Sequence, residues 1–158
     1  MSQSHPRYKV AAIQAAPVFL DRDATIGKTI ALMEQAAAEG ARLIAFPETW
    51  IPGYPFHIWL DSPAWGMQFV QRYHDNSLVV GSPEFRRIAT AARDLGIWVG
   101  LGYSERAGGS LYMGQALIEQ GDVEGARVQL VEIRDRGGEN TWAYRALLES
   151  LGGERTGY

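Results

Sequence analysis

The chain has 158 residues, 46% of them hydrophobic and 21% charged, which suits one globular domain with a buried core and excludes both a coiled coil and a disordered tail. A net charge of −3 offers no basic surface to nucleic acid or anionic lipid. With no cysteine, disulfides, thiolate metal sites and cysteine nucleophiles are excluded within the chain.

The start, Met1-Ser2-Gln3-Ser4-His5-Pro6-Arg7, has no apolar stretch of the secretory kind, and no later window approaches about 20 apolar residues. A cytoplasmic location is the expectation. The run from Lys9 to Ala16, stopped by Pro17, reads as a buried strand. Asp21 and Asp23 then open a helix with Ile26, Ile30, Met33 and Ala37 on its inner face and Gly40 just past its end. Residues 41–46 give a second strand at once. Strand, helix, strand with short joints is the βαβ unit of a mostly parallel sheet, whose apolar strands are expected to be covered on both faces.

Residues 52–81 carry weaker signals, although Trp65, Phe69 and Tyr73 fit a helix over about 64–73 with Pro63 at its start. Ser82-Pro83-Glu84 is a helix N-terminus, with Ser82 as the cap, Pro83 at the first position and Glu84 favoured by the helix dipole. Phe85, Ile88, Ala89, Ala92 and Leu95 form the inner face, and Gly96 ends the helix. Residues 97–103 read as a third strand. Ala107-Gly108-Gly109-Ser110 is a turn, and residues 111–118 a fourth strand, hairpin-paired with the third. Gly100-Leu101-Gly102 lies inside a strand pattern, without the third glycine or following helix of a dinucleotide loop.

The segment from 121 satisfies neither helical nor strand periodicity cleanly until Gly137-Gly138 breaks it. Asn140 or Thr141 then caps an amphipathic stretch with Trp142, Leu147, Leu148 and Leu151. The expected organisation is an α/β portion over 1–120 and a divergent tail over 121–158, as two short helices. Ala116-Leu117-Ile118 with Ala126-Arg127 also faintly resembles one tetratricopeptide-like helix pair, too little for a stable array.

Phe46-Pro47-Glu48-Thr49-Trp50-Ile51-Pro52-Gly53-Tyr54-Pro55 sets one carboxylate among three prolines and several aromatics, just past a strand's C-terminal end, where α/β folds bind ligands. Prolines restrict the backbone around Glu48. Phe46, Trp50, Tyr54 and Phe56 could desolvate it and make it a stronger base. Spacing alone leaves a second option open, in which Glu48 caps a turn or pairs with an arginine and the aromatics are core. The three histidines, His5, His57 and His74, show no ligand-type spacing, which argues against zinc.

Three segments decide between these options: Val10-Ala11-Ala12-Ile13-Gln14-Ala15-Ala16-Pro17, the Glu48 motif with its preceding strand, and Ile97-Trp98-Val99-Gly100-Leu101-Gly102-Tyr103-Ser104-Glu105-Arg106. In order and spacing they resemble the opening segments of the nitrilase branch of the carbon-nitrogen hydrolase superfamily, over about residues 8–120. The resemblance implies part of an α-β-β-α sandwich, oligomerisation, and hydrolysis of nitriles to carboxylic acids and ammonia by a Glu-Lys-Cys triad without cofactor or metal. In such a triad the thiolate attacks the nitrile carbon, the carboxylate takes the thiol proton and later activates water, and the ammonium stabilises charge on nitrogen.

On the motif match Glu48 resembles the general base, and Tyr54 is either a wall of the substrate pocket or core packing. The other two members do not carry over. Gln129 stands where the family's lysine is expected; Lys9 and Lys28, the only lysines, lie on the first strand and first helix. The family's cysteine falls in the second half of a chain about twice this long, so absence of that whole half accounts for its loss. The expectation is an incomplete nitrilase, inactive alone. Its competitor is a non-enzymatic half-fold that covers an exposed apolar sheet face with a copy of itself or another partner.

Overall fold

The computed structural model describes residues 7–118. In chain order these form β1 (Lys9–Ala12), α1 (Arg22–Ala38), β2 (Ala41–Ala45), α2 (His57–Leu60), α3 (Pro63–Asn76), α4 (Pro83–Leu95), β3 (Trp98–Ala107) and β4 (Ser110–Ile118). One mixed sheet has the order β1-β2-β3-β4, parallel through β3 and antiparallel between β3 and β4. The βαβ start and the hairpin are therefore as expected. Gly108 and Gly109 both take positive φ, 54° and 81°, as the favoured two-residue hairpin turn requires.

Local chemistry sets the helix ends. The Asp21 carboxylate accepts the Ala24 N–H at 2.9 Å, and Gly40 leaves α1 at φ 85°, a conformation that costs glycine little. On α4 the Ser82 hydroxyl accepts the Phe85 N–H at 3.2 Å, Pro83 fills the first turn, and Gly96 closes the helix at φ 63°. Glu84 is held below the ordinary carboxylate range by its own backbone N–H first and by Ser82 second. Arg22 reaches it at 3.3 Å.

Tertiary packing moves several expected boundaries and faces. β1 stops at Ala12 rather than Ala16, because its partner β2 ends at Ala45; the Ile13 N–H still donates to the Ala45 carbonyl at 2.9 Å. On α1 the buried face is Thr25, Ile26, Thr29, Met33 and Ala36, rotated from the expected apolar stripe. Two threonines can turn inward because their hydroxyls are satisfied there: Thr25 donates to the Val18 carbonyl and Thr29 to the Thr25 carbonyl. α3 runs to Asn76, three residues past the expected end, and α2 carried no sequence signal of its own.

Strand alternation and register define two sheet faces. Ala11, Ile44, Val99 and Ile118 stand in one row across all four strands. Against this face pack Ile26, Met33 and Ala36 of α1 and Phe85, Ile88, Ala89 and Ala92 of α4, in one core with Leu101 and Tyr103. The opposite face carries Val10, Leu43, Trp98, Leu117 and Met113, of which Val10 and Met113 are 57% and 68% exposed. Cover on both faces is thus corrected: α1 and α4 pack on the same side, whereas on the other the Ser77 hydroxyl at the end of α3 meets Ser104 and Val10 and Met113 stay exposed. The result is one helix layer on one sheet, half of an α-β-β-α arrangement. The helical tail and Gln129 fall outside the described residues. The tetratricopeptide-like pair is corrected at its start, since Ala116, Leu117 and Ile118 lie in β4 paired with β3 and not in a helix, and its remainder falls outside the described residues. No helix among the described residues is long and apolar enough to cross a membrane.

Candidate active site

β2 does not simply end. The Phe46 N–H donates to the Gly100 carbonyl at 2.8 Å, and five residues later the Ile51 carbonyl accepts the Ser104 N–H at 2.7 Å. Ile51 also pairs with Tyr103 in parallel sense. Residues 47–50 therefore leave the ladder and arch over β3 with both feet bonded to it. Glu48 lies in this arch. A local departure of this kind re-aims a side chain away from its usual alternation.

Further contacts hold the arch. The Trp50 indole N–H donates to the Thr29 hydroxyl at 2.8 Å, and Trp50 is 1% exposed. The Gly53 N–H donates to the Thr49 carbonyl at 3.0 Å, and the Leu20 N–H to the Pro52 carbonyl at 2.9 Å. Thr49 has φ 46°, an outlier for a β-branched residue that costs about 1–3 kcal/mol and needs a surrounding structure to impose it. Its buried hydroxyl has no hydrogen-bond partner.

Beside the arch is a cavity of about 500 Å³, lined by Ala15, Ala16, Pro17, Phe19, Pro47, Glu48, Thr49, Trp50, Tyr54, Phe56, His57, Leu60, Trp65 and Phe69. Glu48 and Tyr54 thus share one cavity. The wall is otherwise apolar and largely aromatic: Tyr54 packs on Phe56 at 4.9 Å between ring centroids, and His57 on Phe69 at 5.2 Å. The expected desolvation of Glu48 is absent. Phe46 and Trp50 turn into the core and Tyr54 and Phe56 pair with each other, leaving the carboxylate exposed. Glu48 can accept a proton from a group entering the cavity, but none of the lining residues is a lysine or arginine. Lys28 donates to the Ala16 carbonyl at 2.8 Å and Lys9 to the Glu39 carbonyl.

His57 and Thr49 were not legible as site residues. His57 is 6% exposed and its Nδ1 is buried without a partner; in sequence it was one isolated histidine. The Thr49 signal was available only as its place between Glu48 and Trp50.

Beyond the arch, Glu105 of β3 is pushed above the ordinary carboxylate range by burial. The folded state then binds its proton more tightly than the unfolded chain, so this contribution to stability is full below the unfolded value, about 4.3, and is lost as pH rises through the folded one. Glu105→Gln is expected to give a higher urea midpoint than the parent at neutral pH, with the two converging toward about pH 4. A constant difference across that range would assign the effect to something other than titration.

Residues 9–138 match the carbon-nitrogen hydrolase family. The chain belongs to that family. Over 123 residues it is 65% identical to a nitrilase of Pseudomonas syringae pv. syringae, covering 77% of this chain and 37% of the relative. An arylacetone-specific nitrilase of Alcaligenes faecalis is 55% identical, over 74% of this chain and 33% of its own length. Among solved structures, a glutamine-dependent NAD+ synthetase from Acinetobacter baumannii superposes with a TM-score of 0.50 at 26% identity, covering 73% of this chain and 19% of that one. This carbon-nitrogen hydrolase chain spans about a third of the length of the curated nitrilases it matches, and its 158 residues include no cysteine.

Proposed function

We propose that residues 9–118 form the base-bearing part of a nitrilase active site, with Glu48 as general base and Tyr54 as a wall of the nitrile pocket. The observation that carries this is the shared cavity: in a chain of this family, the motif carboxylate and the motif tyrosine face one apolar space large enough for a small nitrile. An apolar wall with one carboxylate suits a neutral substrate whose reaction begins with proton removal from a nucleophile. The thiolate and the ammonium come from outside the 158 residues or from another chain, and the reaction uses no metal or cofactor. A cytoplasmic location, and the division at about residue 120 between nitrilase-like portion and divergent tail, belong to the same proposal. The test is ammonia release from a nitrile panel by the chain mixed with the cysteine-bearing remainder of a related nitrilase. Release that needs Glu48 sustains the proposal, and release indifferent to Glu48 ends it.

The open sheet face favours a second role beside the first. Val10, Leu43, Trp98 and Leu117 line an apolar strip, with a groove of about 450 Å³ running between Tyr8, Arg42, Leu43, Trp98 and Leu117. An apolar face of this kind is the usual mark of an interface. The proposed occupant is a second copy of the chain. Size-exclusion chromatography is expected to show self-association, weakened by Val10→Asp with Met113→Asp; a monomer that binds no hydrophobic dye contradicts it.

A further inference from the structure

We infer that Gly102 is the positioning residue for Glu48: its missing side chain is the seat on which the Glu48 arch rests. This deepens the proposed role of Glu48 but stands on backbone geometry alone. A Cβ built at Gly102 would lie 2.4 Å from the Pro47 carbonyl oxygen, 2.8 Å from the Glu48 Cα and 3.0 Å from the Thr49 N. All three atoms are backbone, so no rotamer change relieves the overlap; the arch itself has to rise. A glycine inside a strand commonly marks such a close approach by a second backbone.

Gly100 is an internal contrast. It is two residues away on the same strand and the same face, and a Cβ there meets only the Ala45 Cα, the Ile44 carbonyl oxygen and the Ala45 Cβ at 3.8–3.9 Å. Both glycines equally lower β propensity, yet only one sits under Glu48. The arch cannot slide aside, because its feet are bonded on either side of Gly102, at the Gly100 carbonyl and the Ser104 N–H. Trp50 is pinned from behind by Thr29. An added methyl group at 102 therefore acts on Glu48 and Thr49, the residues between the feet.

The experiment is amide-resolved NMR on the full chain, comparing the parent with Gly102→Ala and Gly100→Ala. In the parent, an NOE between the Gly102 and Glu48 α-protons is expected, and its absence overturns the inference whatever the variants do. Gly102→Ala is expected to move the Glu48, Thr49 and Trp50 indole resonances and to speed exchange of the Ser104 amide by on the order of ten-fold. The Ile13 amide, which bonds β2 away from the arch, should keep its protection. Gly100→Ala should leave the arch resonances in place. Equal perturbation by both variants would show a general strand effect and overturn the inference. Should Gly102→Ala fail to fold while Gly100→Ala folds, the parent NOE decides. Because no catalysis is read, failure of the general-base proposal would leave these outcomes unchanged.

Discussion

Purified as 158 residues, the chain is expected to release no ammonia from aliphatic, aromatic or arylacetic nitriles above the buffer rate. A nitrile carbon is attacked by a nucleophile that the base has deprotonated, and this chain contains no thiol. Removing the nucleophile from a triad costs roughly a million-fold in kcat in a well-studied hydrolase, with only the remainder from binding and charge stabilisation left. Here that remainder is small as well. No lysine or arginine lines the cavity among the described residues, and Lys28 is committed to the Ala16 carbonyl. Glu48 could still activate water directly, but an exposed carboxylate in a cavity lined by no lysine or arginine to stabilise the developing charge gains little over solvent. Ammonia release by the chain alone that is lost in Glu48→Gln would show that a different nucleophile is at work.

The largest expected loss of stability is from Trp50→Ala, about 3–5 kcal/mol, read from urea denaturation. Trp50 belongs to the main core and is 1% exposed, so truncation leaves a large cavity that the surrounding strands cannot close. It also removes the indole donor that the Thr29 hydroxyl accepts at 2.8 Å. The two terms separate in Trp50→Phe, which keeps most of the ring volume and loses the donor; a smaller cost of about 1–2 kcal/mol is expected there. Equal losses for Phe and Ala would mean that the hydrogen bond, not the volume, dominates. Since Trp50 ends the arch, either variant should also raise exchange at the Ser104 amide.

What the sequence disclosed was set by local chemistry. Asp21, Ser82 and Gly96 mark helix ends through their own backbones and side chains, so they read correctly without knowledge of the fold. The glycine pair at 108 and 109 fixed the hairpin in the same way. The Glu48 motif, as a resemblance, pointed to the family that the comparisons bear out. What stayed hidden depended on which way side chains turn. Four aromatics around Glu48 suggested desolvation, but Phe46 and Trp50 serve the core instead, a choice made by α1 through Thr29. Thr25 and Thr29 broke the apolar stripe of α1 because their inward hydroxyls find acceptors that periodicity does not show. Apolar strands suggested two covered faces, whereas α1 and α4 pack on one. Gly102 was visible only as a glycine in a strand; the backbone that lies on it comes from residues more than fifty positions earlier.

The proposed role of Glu48, general base in a site completed by a second polypeptide, is tested most directly by mixing the chain with the cysteine-bearing remainder of the Pseudomonas syringae nitrilase and measuring ammonia from a nitrile panel. The expected result is release by the mixture, none by either component, and a loss of about 10²–10⁴-fold with Glu48→Gln, the range a general base contributes. Undiminished release by the Glu48→Gln mixture would contradict the claim.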